Sequence, residues 1–352
     1  MIPLILDVDT GIDDAMALLY AAATPDVDLR AVTCVAGNVD ARQVAENTRA
    51  VLELVGREDV EVAIGRETPL VRALETTPET HGPRGLGYAE LPPPSRPLSD
   101  RHAVDVLIEE ARSAPGEVTL VTLGPLTNLA IAVLREPNLP RLLKSYVLMG
   151  GAYRSPGNTA PTTEWNINVD PDAAKVVFRA WAEANVAFGV ARPVALGLDV
   201  TEKAKIVPEH VVGLARRAGS QPDDSIALAA GESPMQATRS VASNPVVRFV
   251  ADALRFYMEF HSRYDGFYGA FIHDPLAVAA ALDRKLIRTE ALAVDIELGG
   301  TLTTGETVAD WRRVWGRAPN IDVAVEANAE EFLNRFVERV GGLAATRSNV
   351  AI

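Results

Sequence analysis

Four aspartates fall within the stretch Asp7-Val8-Asp9-Thr10-Gly11-Ile12-Asp13-Asp14, directly behind the apolar run Leu4-Ile5-Leu6. Carboxylates packed that closely repel one another and raise each other's pKa unless positive charge sits among them. A hard divalent cation with oxygen ligands, Ca²⁺ or Mg²⁺, is the simplest remedy. A helix cap accounts for one such acid but not for four.

The elements that must hold these acids follow from the neighbouring residues. The apolar run reads as a buried strand, Thr10-Gly11 as a turn, and Asp13-Asp14 as the opening of an Ala/Leu-rich helix, where carboxylates suit the positive end of the helix dipole. The acids therefore sit at the carboxyl end of a strand, where open α/β sheets place their ligands.

Composition narrows the partners. The 352-residue chain is 48% hydrophobic, enough for a substantial core, and carries a net charge of -13 with no basic block. That balance argues against nucleic acid and favours a small neutral or cationic ligand. Cys34 is the only cysteine, which excludes an internal disulfide and fits a reducing cytoplasm. The amino terminus lacks a basic segment with a cleavable apolar stretch, and no apolar run reaches the ~20 residues of a membrane span. A cytoplasmic protein without a membrane role is expected.

Further along, strands are expected at Leu29–Ala36, Val60–Ile64, Val118–Leu123 and Ser145–Met149, near 186–190 and 194–198, and late at Leu292–Leu298 and Ile321–Val325. Helices are expected from Asp40 to about Leu54, His102 to Ala111, Pro171 to about Ala184, after Pro275, and over Glu330–Val340. Residues 76–97 and 152–170 read as long loops, of the kind that is usually functional. The stretch from about 201 to 273 is mostly helical, with a polar, Gly/Pro-broken part at Gly219–Asn244 that suits a lid. No repeat or linker divides the chain, so a single α/β domain is expected, its mostly parallel sheet covered by helices on both faces.

Several chemistries drop out. There is no Walker loop, no G-x-G-x-x-G after a strand and no G-x-S-x-G elbow. An EF-hand is excluded because Leu18 stands where its closing Glu belongs. The haloacid-dehalogenase-like Mg²⁺ phosphatases carry Asp-x-Asp-x-Thr/Val, but here Gly11 takes the last place and Asp13-Asp14 go unused.

The stretch Asp7–Asp14 resembles the signature of the inosine-uridine-preferring nucleoside hydrolases. Matching segments follow in order: Gly37-Asn38, Gly124-Pro125-Leu126-Thr127-Asn128, Met149-Gly150-Gly151, Gly157-Asn158, Glu164-Trp165-Asn166-Ile167-Asn168-Val169-Asp170-Pro171 and His273-Asp274-Pro275-Leu276-Ala277-Val278. Any one is weak; together and in register they are specific. The resemblance implies a Rossmann-like nucleoside hydrolase core and an N-ribohydrolase that splits a nucleoside into ribose and free base around Ca²⁺. It implies a homodimer or homotetramer as well. A non-catalytic nucleoside or ribose binder remains the other alternative, and keeping all of Asp9, Asp13, Asp14 and Asp274 speaks against it.

By the same resemblance, Asp9, Asp14, Asp274 and the backbone carbonyl of Leu123 hold the metal, where the family more often has Thr at Leu123. Asp9 doubles as general base, Asp13 and Asn38 reach the ribose 2′-hydroxyl side, and Asn158, Glu164 and Asn166 take the 3′- and 5′-hydroxyls, with Met149 against the sugar. An acid-rich pocket suits the oxocarbenium-like ribose of such a cleavage. His273, beside Asp274, is the candidate acid for the leaving base. His81 belongs to a His-Gly-x-x-Gly-Leu-Gly loop resembling one that closes over the family's site. Tyr257 and His261 share a helix face and match base-contacting positions, and Trp165 stacks on the base or shields the sugar. His261 departs from the family's tyrosine or glutamine, so the preferred base is left open. Asn128 and Thr127 read as turn or cap residues.

Overall fold

A computed structural model describes residues 1–221 and 239–347. Its strands are β1 (Ile2–Val8), β2 (Val27–Cys34), β3 (Glu61–Ile64), β4 (Thr119–Thr122), β5 (Ser145–Met149), β6 (Val194–Leu196), β7 (Lys205–Ile206), β8 (Ala270–Phe271), β9 (Ile287–Leu292), β10 (Val294–Ile296), β11 (Thr307–Ala309) and β12 (Ile321–Ala327). The main sheet has the order β3-β2-β1-β4-β5-β6-β12-β9. Its strands run parallel except β9, which is antiparallel to β12. The order reverses between β1 and β4, which opens a crevice at their carboxyl ends.

The helices are α1 (Ile12–Ala22), α2 (Ala41–Leu54), α3 (Pro78–His81), α4 (Ala103–Ser113), α5 (Thr127–Arg135), α6 (Leu139–Leu142), α7 (Trp165–Val169), α8 (Pro171–Phe188), α9 (Leu198–Thr201), α10 (Pro208–Arg217), α11 (Pro245–Tyr264), α12 (His273–Leu282) and α13 (Ala329–Ala345). The period-two alternation of β1 sorts them into layers. Leu4, Leu6 and Val8 pack with Met16 and Leu19 of α1, Leu276 of α12 and Phe332 of α13, whereas Ile5 packs with Leu129 of α5 and with Val177 and Trp181 of α8. Both faces of the sheet are thus covered, as the near-continuous apolar strands require.

Helices α1 and α12 are apolar nearly all round and buried accordingly. Their first turns nevertheless carry acids, Asp13 and Asp14 on α1 and Asp274 on α12. Two helix amino termini thus bring partial positive charge to the same buried carboxylates.

The architecture is the α/β class expected, and three local readings are corrected. No strand forms at 186–190: α8 continues through Phe188 and stops at Gly189, whose φ of 70° and ψ of 24° suit a left-handed cap. The apolar residues that suggested a strand, Val186 and Phe188, lie on the exposed side of that last turn. The expected strand over 194–198 stops at Leu196, and Leu198 already belongs to α9. Leu292–Leu298 is split between β9 and β10, because the Asn320 side chain binds both backbone groups of Val294 and turns the chain out of the main sheet. Of the segment read as a lid, residues 222–238 lie outside the described residues. Among the described residues no helix is long and apolar enough to cross a membrane.

Candidate active site

Asp9 leaves the end of β1 fully buried. Its Oδ2 accepts from the Asn38 backbone N–H at 2.9 Å, and its own N–H donates to Asp14 Oδ1 at 3.2 Å. Oδ1 of Asp9 is buried and has no hydrogen-bond partner among the described residues. Two glycines make this fit possible. A Cβ on Gly37 would stand 2.1 Å from Asp9 Oδ2, and one on Gly124 would stand 2.7 Å from Oδ1. Gly37→Ala should therefore displace the carboxylate while leaving the sheet intact. A loss of turnover of about 100-fold is expected, since misplacing a reacting group by ~1 Å costs on that order. Steady-state rates beside an unchanged circular dichroism spectrum check it.

Asp14 closes the first turn of α1 by accepting from Gly11 N–H at 2.9 Å, and it also takes Asn38 Nδ2 at 3.3 Å. Carboxylate oxygens of Asp13, Asp14 and Asp274 lie within 4.8 Å of one another. Asp9, which sequence placed among the ligands, stands beside this trio, and Asp13 is drawn into it. Burial pushes the Asp9, Asp13 and Asp274 carboxyls well above the usual carboxylate range, and the neighbouring acids push them further. Asp14 is raised by burial to about 6. Dry, crowded carboxylates with an unpartnered oxygen among them fit a hard cation.

The far wall comes from the carboxyl ends of β4 and β5. Asn166 Nδ2 donates to the Leu123 carbonyl at 2.7 Å and to the Met149 carbonyl at 3.2 Å, tying both strand ends to α7. Glu164 caps α7, accepting from the N–H groups of Asn166 (2.8 Å) and Ile167 (3.1 Å), and it also accepts from Gly151 (2.9 Å). Burial raises its pKa, and its charge is felt by Asp13 and Asp274. Asn38 is buried with its Oδ1 unpartnered, as is the Trp165 indole N–H, among the described residues. Asn158 is exposed; its Oδ1 accepts from the Trp165 backbone N–H at 3.0 Å.

Three histidines and a tyrosine close the remaining side. His81 Nδ1 accepts from the Ile12 backbone N–H at 3.1 Å, so the proton of the neutral ring belongs on Nε2. Its ring lies 5.4 Å from that of Tyr257, which lies 4.6 Å from His261. His261 Nδ1 bonds Asp265 Oδ2 at 2.7 Å, and the Phe271 N–H points to its Nε2 at 3.4 Å. His273 Nδ1 bonds Thr201 Oγ1 at 2.8 Å, and that hydroxyl also reaches the Gly197 carbonyl at 3.2 Å. Burial pulls both His81 and His273 down to about 3, so both rings are neutral near pH 7.

Sequence reading missed the supports beneath the site. Asp7 shares the Ile5 side of β1 and accepts from Thr33 Oγ1 (2.6 Å) and Asn128 Nδ2 (2.9 Å). Asn128 reads from the sequence as a turn or cap residue. It instead lies inside α5 and binds Asp7, the Cys34 carbonyl (3.1 Å) and the Arg66 N–H (2.9 Å). Period-two alternation puts Asp7 on the face away from α1, the one signal that marked it as a support. Thr127 donates to Asp170, which caps α8. Thr201 carried no sequence signal, because 72 residues separate it from His273.

A family model described as inosine-uridine preferring nucleoside hydrolase matches residues 4–334. The inosine-uridine preferring nucleoside hydrolase of Leishmania major is 36% identical over 96% of this chain and 98% of its own length. The pyrimidine-specific ribonucleoside hydrolase RihA of Salmonella arizonae is 35% identical with the same coverage. A solved purine-preferring ribonucleoside hydrolase from Gardnerella vaginalis superposes with a TM-score of 0.83 at 31% identity, covering 98% of this chain and 99% of that one.

Proposed function

Because this chain belongs to the inosine-uridine preferring nucleoside hydrolases and is thereby a ribonucleoside hydrolase, we propose that it splits ribonucleosides at the buried aspartate cluster, with Asp9 as general base and Ca²⁺ as cofactor. The observation that carries this reading is the Asp9 carboxylate, pinned through one oxygen by Asn38 and left with the other bare among buried acids. That bare oxygen is the natural acceptor for the proton of a water attacking the ribose C1′.

Asp9, Asp14, Asp274 and the Leu123 carbonyl would hold the cation, with Asp13 completing the charge around it. Bound there, it would neutralise the cluster, orient ribose hydroxyls and acidify a water, though less strongly than zinc does. The chain's own groups supply the rest. Asn38 Oδ1 is free to accept from a sugar hydroxyl on the Asp13 side. Glu164 and Asn166 rim the opposite side, with Met149 beside them. Buried carboxylates around the ring favour positive charge on it as the glycosidic bond lengthens. His273, His81, Tyr257 and His261 face the position of the departing base. Because the Thr201 hydroxyl donates to the Gly197 carbonyl, His273 Nδ1 donates to Thr201, and the neutral ring carries its proton on Nδ1 with Nε2 open to a proton or a donor.

A panel of inosine, adenosine, guanosine, uridine and cytidine, assayed for free ribose with excess Ca²⁺ and then with a chelator, tests this reading. Release from at least one nucleoside, abolished by the chelator and restored by Ca²⁺, is expected. Undiminished activity in the chelator would remove the metal from the account.

A further inference from the structure

We propose that Tyr88, Glu259 and Arg255 form a latch that fastens the 81–91 loop to α11 and thereby positions His81 against the substrate; this rests on the reading of the site as a nucleoside pocket. The Tyr88 hydroxyl donates to Glu259 Oε2 at 2.6 Å, and Arg255 Nε donates to Glu259 Oε1 at 2.9 Å. Arg255 is only 2% exposed, so this ion pair is removed from bulk water, where such charges are costly unless fully engaged. The Tyr88 ring meets Phe256 edge-on at 5.0 Å, and the Arg255 guanidinium lies 5.9 Å from the same ring. Beside it Gly87, at a φ of +60°, lies so close to α11 that a Cβ would stand 2.7 Å from that of Phe256 and 3.0 Å from the Ala253 carbonyl.

The loop needs such a fastening. Its backbone bonds close only on the loop itself, Gly85 to Gly82, Gly87 to His81 and Ala89 to Leu86, and Gly82, Gly85 and Gly87 all adopt positive φ. A glycine-rich segment of this kind loses much entropy on ordering. One end is tied to the floor of the site by the Ile12 N–H to His81, and by Asn47, whose Nδ2 donates to the Arg84 and Thr10 carbonyls. The other end is tied by the latch. Helix α11 carries Tyr257 and His261, so the latch sets the spacing between the wall bearing His81 and the wall bearing Tyr257.

Three variants separate positioning from plain structural support. Tyr88→Phe keeps the ring and removes one charge-assisted hydrogen bond. It should raise KM for nucleosides about tenfold with kcat within about twofold, as expected when the closed loop becomes the minor state. The backbone amides of 82–91 should exchange with deuterium faster, with the central sheet unchanged. Glu259→Gln should fall between the parent and Glu259→Leu, because the amide NH₂ donates to the Tyr88 oxygen and its carbonyl accepts from Arg255, while the charge opposite the guanidinium is lost. Glu259→Leu should match Tyr88→Phe, and combining these two should be no worse than either alone. The proposal is overturned if Tyr88→Phe leaves KM or loop exchange unchanged, or if Glu259→Gln is as impaired as Glu259→Leu. Exchange needs no substrate, so the latch can fail while the parent still hydrolyses nucleosides. An inactive parent with a protected loop would instead refute the functional reading.

Discussion

Asp9→Asn should lower kcat for every accepted nucleoside by about 10³-fold or more, with KM changed far less. A positioned general base contributes on the order of 10²–10⁴ by itself, and loss of a ligand to the cation adds to that. The variant is nearly isosteric, and its amide oxygen can still accept from the Asn38 N–H, so the strand end should keep its shape. The loss would then belong to the proton-accepting oxygen, Oδ1, which has no partner among the described residues. Parallel steady-state kinetics and thermal melts check this; turnover near the parent's would remove Asp9 as the base.

The second large effect concerns stability. A carboxyl whose pKa in the folded protein exceeds its unfolded value holds a proton that the unfolded chain has released. Folding stability therefore falls as pH rises between those two values. Asp14 is raised from 3.8 to about 6, and Asp7 from 3.8 to about 7, both mainly by burial. Asp9, Asp13 and Asp274 shift the same way. The five aspartates outweigh buried His81 and His273, whose lowered pKa values stabilise the fold as pH rises, so metal-free protein should show a net loss of stability as pH climbs from about 4 to about 7.

Added Ca²⁺ needs the ionised carboxylates and competes with those protons, so its stabilisation should grow over the same interval. At ~100 times its Kd, a ligand specific for the native state contributes about 2.7 kcal/mol, which for a chain of this size is on the order of 5 °C in Tm. Melts of chelated and Ca²⁺-loaded protein across that range measure it. A Ca²⁺ shift that shrinks with rising pH, or that survives in Asp274→Ala, would contradict the assignment. Asp7 tells the two effects apart, because Thr33 and Asn128 hold it away from the trio and its slope should persist with Ca²⁺ bound.

How far the sequence could be read follows from where each signal is local. The acids after β1, the Gly37-Asn38 turn after β2 and Leu123 after β4 each lie at the end of an apolar run, so their convergence at one edge of a parallel sheet could be worked out in advance. The contacts that tune them are not local. Thr201 reaches His273, Asn128 reaches Asp7 across 121 residues, and Asn38 is fixed by Asp9 just after β1 and Asp14 on α1. No periodicity encodes such pairs. Gly37 and Gly124 read as turn glycines, yet their role is to leave room for one carboxylate, which only the packed strand ends reveal. The false strand at 186–190 has a related cause. Val186 and Phe188 are apolar but exposed, so hydrophobicity there reported neither burial nor strand. His81 was legible as a loop residue; its fixed proton was not, because the Ile12 N–H that sets it lies 69 residues away.

Water activated beside Asp9 should displace the base from ribose in this pocket. Turnover of a nucleoside in ¹⁸O-labelled water, in phosphate-free buffer with Ca²⁺, tests it most directly by mass spectrometry of the products. One labelled oxygen on the released ribose and none on the base are expected, with product from Asp9→Asn formed about 10³-fold more slowly. Release that requires added phosphate, or ribose that emerges unlabelled, would contradict it.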